Sequence, residues 1–218
     1  MRMRTPFLAG ALSLAWAVPA QACPFWFNSS YMSIPARPSF GVGVVADFDP
    51  TALGISGDVA MRLGDKAVVR PGIGLCTYEI LDERQNDPYF GAGVAFNLTQ
   101  TATMALNLQS GISYRTLDGG SITTVPIGAA ARFGSTGPMA FYAGASLLWQ
   151  NFEADAGGSA SETDPLLFGG LQAGSGSMAW TLGAQILLAD DTEFGIIAGL
   201  SLNQGMSAIR HIGSVFRK

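Results

Sequence analysis

Apolar residues alternate with small or polar residues along most of the chain after position 39. Between Met104 and Arg115, one face is mostly Met, Leu, Ile and Tyr, and the other is Asn, Gln, Gly, Ser and Arg. A period of two is typical of a β-strand with two different faces. Breaks at Gly, Asp, Ser and Thr clusters predict ten strands, at 39–48, 55–63, 67–78, 88–98, 102–115, 121–133, 138–152, 166–174, 178–188 and 193–203.

Two architectures use this pattern, and they turn the apolar face in opposite directions. A soluble β-protein buries the apolar face, whereas a membrane barrel turns it to lipid and keeps small and polar residues inside. A water-exposed face is expected to be rich in Lys and Glu, but the only lysines are Lys66 and Lys218. The pattern therefore predicts an all-β, antiparallel, up-and-down transmembrane β-barrel of ten strands, with eight strands as the alternative.

Aromatic residues on the apolar faces favour the same architecture. Membrane barrels carry an aromatic girdle at each of the two membrane interfaces. One predicted band lies at the strand ends beside the longer connections and contains Phe48, Phe90, Tyr114, Trp149 and Phe194. The other band lies beside the short turns and contains Phe96, Phe133, Phe141 and Trp180.

The N-terminus has the three parts of a secretory signal peptide. Arg2 and Arg4 precede an apolar stretch of about 13 residues, which is shorter than the ~20 needed for a spanning helix, and Ala20-Gln21-Ala22 is a small-x-small cleavage site. The sequence therefore predicts a signal peptide at 1–22, a periplasmic or plug segment at 23–38, the barrel at 39–203 and a basic tail at 204–218.

The predicted connections alternate between short turns and longer loops. The longer ones are 49–54, 79–87 and 153–165, and they are acidic. Because outer-membrane barrels place short turns in the periplasm and long loops outside, both termini are predicted to be periplasmic. Solvation explains the loop carboxylates, and divalent-cation binding is the alternative; no spacing assigns a metal site.

At this level the chain resembles the small outer-membrane β-barrel proteins of Gram-negative bacteria, from about Phe40 to Asn203. Glu193-x-Gly195-x-x-Ala198-x-Leu200 is similar to the assembly signal of that family's last strand. The resemblance implies an outer-membrane location. It also implies contact with outer-membrane lipid and lipopolysaccharide, and recognition by the barrel-assembly machinery.

Charged residues on the predicted inner face are the main candidates for function. Strand parity points to the lumen for Asp47, Asp58, Arg62, Arg70, Arg115 and Arg132. Buried charges are costly unless they are paired or hydrated, so two interpretations remain open. These residues form a closed network that plugs the barrel, or they line a water-filled pore with some anion preference.

The two cysteines, Cys23 and Cys76, have three interpretations. Cys23 is a candidate for lipid modification after cleavage, although Ala20-Gln21-Ala22-Cys23 lacks the usual leucine. Cys76 is predicted to face the lumen, and a disulfide to Cys23 requires the intervening segment to enter the barrel. Free thiols are the third interpretation.

The sequence offers little for catalysis. Its single histidine, His211, lies in the basic tail, whereas a serine nucleophile needs a positioned base. The predicted function is therefore a non-catalytic barrel with a structural or surface-interaction role and a largely filled lumen, without cofactor or nucleic-acid partner. A narrow diffusion channel is the alternative, and a loop-borne enzyme is less favoured.

Overall fold

The structure, a computed structural model, describes residues 39–48, 51–80, 83–101, 103–134, 139–175, 178–189 and 192–202. The predicted segments 1–22, 23–38 and 204–218 lie outside these residues. The strands are β1 (Ser39–Phe48), β2 (Thr51–Leu63), β3 (Ala67–Ile80), β4 (Glu83–Gln100), β5 (Met104–Leu117), β6 (Gly120–Phe133), β7 (Met139–Ala154), β8 (Ser159–Ser175), β9 (Met178–Leu187) and β10 (Glu193–Leu202). Among the described residues, no helix is long and apolar enough to cross a membrane.

All ten strands form one closed antiparallel barrel. Each strand pairs with its neighbours in sequence, and β1 pairs with β10, for example at Val45 and Ile197. Closure satisfies the backbone groups that the first and last strands would otherwise expose as sheet edges. The prediction of a ten-stranded up-and-down barrel is confirmed, and the eight-stranded alternative is wrong.

The apolar side chains point outward. Along β7, Leu147 is 56% exposed and its neighbour Leu148 is fully buried. In β5, Leu108 and Ile112 are exposed, and Asn107 and Gln109 between and beside them are buried. The outer face of the barrel is thus apolar, and its inner face contains most of the buried polar side chains. This is the sidedness that the composition of the two faces predicts.

The two ends of the barrel differ in how the strands are joined. At one end, here called the turn rim, the joining residues are 64–66, 101–103, 134–138 and 176–177; at the other, the loop rim, they are 49–50, 81–82, 118–119, 155–158 and 188–192. Asp118-Gly119 makes a two-residue hairpin turn at the loop rim, with Gly119 at φ +93°. An Asp-Gly pair suits such a turn because glycine adopts positive φ without steric cost.

The predicted loops at 49–54, 79–87 and 153–165 are wrong in extent, because most of their residues are strand. The β3–β4 ladder continues to Ile80 and Glu83, and the β7–β8 ladder continues to Glu153 and Ser159. The apolar alternation marks only the part of a strand whose outer face is apolar. The backbone ladder continues past that part into polar sequence, which carries no signal of period two.

Prolines interrupt the ladders locally without ending the strands. Register is continuous on both sides of Pro71 in β3, but the β2–β3 pairing passes from Asp58–Gly72 to Met61–Val69. Around Pro126 the β5–β6 pairing similarly passes from Ser110–Ile127 to Ser113–Thr124. Each proline lacks an N–H group, so each weakens the ladder on one side of its strand and remains paired on the other.

Candidate functional site: the barrel lumen

The lumen is narrowed by aromatic side chains that lie over glycines of a neighbouring strand. Tyr89 is paired with Gly74, and a Cβ atom added to Gly74 would lie 2.2 Å from the Tyr89 ring. The Tyr89 hydroxyl donates to the carbonyl of Ile55, one strand further, at 3.4 Å. Phe168 covers Gly144 in the same way. These glycines are required because only a residue without a side chain leaves room for the ring.

Asp58 and Arg70 form a buried ion pair on the inner face. Arg70 Nη1 lies 2.8 Å from Asp58 Oδ1, and the two side chains are only 2–3% exposed. Gly41 stands opposite Asp58 on β1, and a Cβ atom there would lie 2.8 Å from Asp58 Oδ2. Gly41 therefore makes the space that the carboxylate occupies. The pair holds β2 and β3 together on the lumen side, where the Pro71 interruption weakens the ladder.

Arg115 is the centre of a second buried polar group, nearer the loop rim. Its Nη1 donates to Cys76 Sγ at 3.2 Å, and its guanidinium carbon lies 5.7 Å from the centroid of the Tyr78 ring. That distance suits a cation–π contact. The Tyr78 hydroxyl in turn donates to the Asp87 carboxylate. Arg115 is thus held by an aromatic ring and a sulfur atom, with a carboxylate one contact away.

The other three charged residues predicted to face the lumen lie at or near the two rims of the barrel. Arg62 follows the inward parity of β2, but at the turn rim its side chain is 39% exposed, and it binds Asp65 and the carbonyl of Gly64. It is therefore separate from the buried charges. Arg132 lies near the turn rim of β6, half-buried and in register with Tyr142. Asp47 lies at the loop rim of β1, and its side chain is outside the described residues.

Two bands of aromatic side chains lie on the outer face. Toward the loop rim, Phe90 and Tyr114 are register partners with ring centroids 5.4 Å apart. Toward the turn rim, Phe133 and Phe141 are register partners and are both exposed. The other exposed members are Trp149 and Phe194 in the first band and Phe96 and Trp180 in the second. Phe48 ends β1, with its side chain outside the described residues. Phe40, which is not a member of either predicted band, is also exposed on the outer face at the turn rim.

The inner face of β7, β8 and β9 contains an apolar patch, which lies beside buried polar residues of the same strands such as Ser146 and Gln172. Leu148, Leu166 and Leu187 lie on the consecutive strands β7, β8 and β9, and each is at most 2% exposed. Leu166 and Leu187 are direct register partners. Val45 and Ile197 continue this surface across the β1–β10 pair. All five belong to the same cluster of buried residues as Cys76 and Tyr89.

Several polar side-chain atoms on the inner face of the described strands are buried without a hydrogen-bond partner. Within the described part of the chain, Gln109 Oε1 and Nε2, Ser146 Oγ and Gln172 Oε1 are buried and have no hydrogen-bond partner. Buried polar groups of this kind are normally satisfied by bound water or by another segment. The same described residues contain no group of three His, Cys, Asp or Glu side chains that could hold a metal ion.

Some of these features are predictable from the sequence, and others are not. Strand parity places Tyr89, Leu148 and Leu187 on the inner face, but it does not show that they line up across neighbouring strands. Asp87 lies in a polar stretch that the sequence assigns to a loop, whereas the structure places it in β4, buried against Tyr78.

Comparison with known proteins supports the fold. No protein-family model matches the chain, and no curated protein matches it. Among solved structures, the barrel is similar to the translocator domain of the autotransporter NalP from Neisseria meningitidis. The TM-score is 0.55 at 12% identity, and the match covers 90% of this chain and 96% of that one. The chain therefore has the fold of outer-membrane β-barrels.

Looser similarities are to other outer-membrane barrels. The N-terminal β-barrel domain of OprF from Pseudomonas aeruginosa matches with a TM-score of 0.36 and 10% identity, over 76% of this chain and 95% of that one. The attachment invasion locus protein Ail of Yersinia pestis matches with a TM-score of 0.32 and 14% identity, over 76% and 97%.

Proposed function

We propose that this protein is a non-catalytic β-barrel of the Gram-negative outer membrane with a structural or surface-interaction role and a closed lumen. An apolar outer face with two aromatic bands suits lipid, and the polar ends of β3–β4 and β7–β8 suit an aqueous surface. The proposal includes export by the signal peptide at 1–22, and outer-membrane lipid and lipopolysaccharide as the surroundings. The loop rim faces the outside of the cell, and the turn rim faces the periplasm.

The observation that carries the closed lumen is the burial of its charges. Asp58, Arg70 and Arg115 are each at most 4% exposed. In a conducting pore, charged side chains contact water and passing ions. Here two of them contact each other, and Arg115 contacts Cys76 and Tyr78. Buried charges held in this way suit a structural network better than a pore lining.

The absence of catalysis is part of the proposal and is supported by the distribution of reactive groups. General acid–base and nucleophilic mechanisms need a second group positioned beside the first. The chain's one histidine, His211, comes after β10, which ends at the turn rim. The acidic residues of the polar hairpins lie at the opposite rim.

A narrow diffusion channel is the second candidate function. Gln109, Ser146 and Gln172 favour it, because a file of water molecules in the lumen would satisfy their buried polar atoms. A path wide enough for water and small ions would pass these three side chains.

Planar-bilayer recording with the purified, folded protein separates the two candidates. We expect no steady openings for the wild-type chain, with Arg62→Gln as the matched control at the exposed turn rim. Steady openings whose conductance or ion selectivity changes in Arg115→Gln but not in Arg62→Gln would overturn the closed lumen. A shift in gel migration on boiling verifies that each sample contains folded barrel.

A further inference from the structure

Cys76 is disulfide-bonded and faces the lumen. Its side chain is fully buried, and its sulfur accepts a hydrogen bond from Arg115. The chain has one other cysteine, Cys23, which precedes β1 and lies outside the described residues. Cys23 becomes the first residue of the mature chain if the predicted signal peptide is removed.

We propose that Cys23 is the partner of Cys76, and that residues 24–38 run through the lumen as an internal plug anchored by this bond. The inference rests on the closed lumen proposed above and identifies what closes it. Lipid modification of Cys23 is then excluded, because its sulfur atom is already bonded to Cys76.

The length of the segment fits this path. β1 begins at Ser39 on the turn rim, and Cys76 lies nine residues beyond Ala67, where β3 leaves the same rim. At about 3.3 Å per residue, Cys76 is at most about 30 Å from that rim. The 15 residues of 24–38 span up to about 50 Å when extended. Because Cys76 faces inward and the barrel is closed, a segment that starts at the turn rim reaches it through the lumen.

The lumen wall opposite Cys76 carries apolar side chains that suit an apolar segment. In a closed ring of ten strands, β8 lies opposite β3, and the buried leucines Leu148, Leu166 and Leu187 lie on β7 to β9. Side chains just fill a barrel of eight strands, and a ten-stranded lumen is wider. The inner faces of these strands also contain many Gly, Ala and Ser residues. The three leucines therefore offer an apolar contact surface to a segment inside the lumen.

The sequence after Cys23 supplies suitable side chains. Pro24-Phe25-Trp26-Phe27 is apolar and aromatic, and no charged residue occurs from 24 to 36. In the proposed plug, Phe25 and Trp26 follow Cys23 by only two and three residues, so their rings are held inside the lumen that the leucines line. The tail at 204–218 is a poorer occupant, because Arg210, Arg217 and Lys218 would add positive charge beside Arg115 and it has no cysteine.

Two measurements on the full mature chain test the plug. Peptide mapping without reductant is expected to find a Cys23–Cys76 disulfide; free thiols, a Cys76–Cys76 bond between two copies, or lipid on Cys23 would each overturn it. A photo-crosslinking amino acid at Trp26 is expected to label peptides of β7 to β9. The same probe at the exposed Trp149 serves as control and should label lipid. Labelling of lipid from position 26 would overturn the lumen path.

Conductance distinguishes failure of the plug from failure of the closed lumen. We expect steady openings in Cys23→Ser and in a variant that lacks residues 24–36, with a silent wild-type protein. A silent wild type without the Cys23–Cys76 bond would overturn the plug and leave the closed lumen standing. A conducting wild type that contains the bond would overturn the closed lumen itself.

Discussion

At the scale of single residues, the parity of a position within its strand decides whether its side chain lies on the outer face or in the lumen. Leu147 and Leu148 are chemically identical neighbours, and one is exposed on the apolar outer face while the other is buried in the lumen. The same rule separates Asn107 from Leu108. Composition alone is therefore a poor guide to burial in this chain, and the position within the alternation is the useful quantity.

The Asp58–Arg70 pair leads to a stability prediction. Arg70→Met leaves Asp58 as a lone buried charge, so we expect it to lower the free energy of unfolding by about 3–5 kcal/mol. The double variant Asp58→Asn/Arg70→Met removes both charges and should recover part of this loss. Urea unfolding in phospholipid vesicles measures both variants.

Arg62→Met is the matched control for this measurement. The Arg62–Asp65 pair is exposed at the turn rim, and pairs of this kind contribute about 0–1 kcal/mol. An Arg70→Met loss no larger than that of Arg62→Met would contradict the assignment of Asp58 and Arg70 as a buried pair.

Parity also marks the limit of sequence prediction at this scale. It places Asp58, Arg70 and Arg115 inside, but which charges meet depends on the register between strands. That register depends on the lengths of the turns that join the strands, which do not follow from alternation. Arg62 shows the same limit, because its inward parity is correct but its height at the rim leaves it exposed.

At the scale of elements, the strands differ in length and so in how far they extend beyond the apolar part of the outer face. β4, β7 and β8 have 18, 16 and 17 residues, whereas β1, β9 and β10 have 10 each. On the outer face of β7 the apolar side chains end at Trp149, and Asn151 and Glu153 follow. The apolar part of each strand was predictable from its alternation. The polar extension was not, because backbone pairing there does not require apolar outer side chains and leaves no alternation in the sequence.

This boundary on β7 is testable with a matched pair of substitutions on one face of one strand. Ala145 lies in the middle of the apolar outer stretch, and we expect Ala145→Arg to cost about 2–4 kcal/mol of folding free energy in vesicles. Asn151→Arg, beyond the aromatic band, should cost no more than about 1 kcal/mol. Equal costs at the two positions would show that β7 does not cross the bilayer edge between them.

At the scale of the whole molecule, the alternation, the scarcity of lysine and the two aromatic bands were sufficient to predict a closed ten-stranded barrel. The contents of the lumen were harder to predict, because they depend on side chains brought together from distant strands. The apolar surface of Leu148, Leu166 and Leu187 and the disulfide-bonded state of Cys76 are both of this kind. The lumen therefore contains an apolar patch as well as its buried charges.

We propose that the outward-facing apolar side chains contact lipid and that the inward-facing ones are enclosed. The most direct measurement is methyl-labelled NMR of the folded protein in lipid nanodiscs, reading nuclear Overhauser effects from lipid acyl chains to individual methyl groups. Leu108, Ile112 and Leu147 should show these effects, and Leu148, Leu166 and Ile197 should not. Acyl-chain contacts to Leu148 and Leu166, with none to Leu147 and Ile112, would contradict the account.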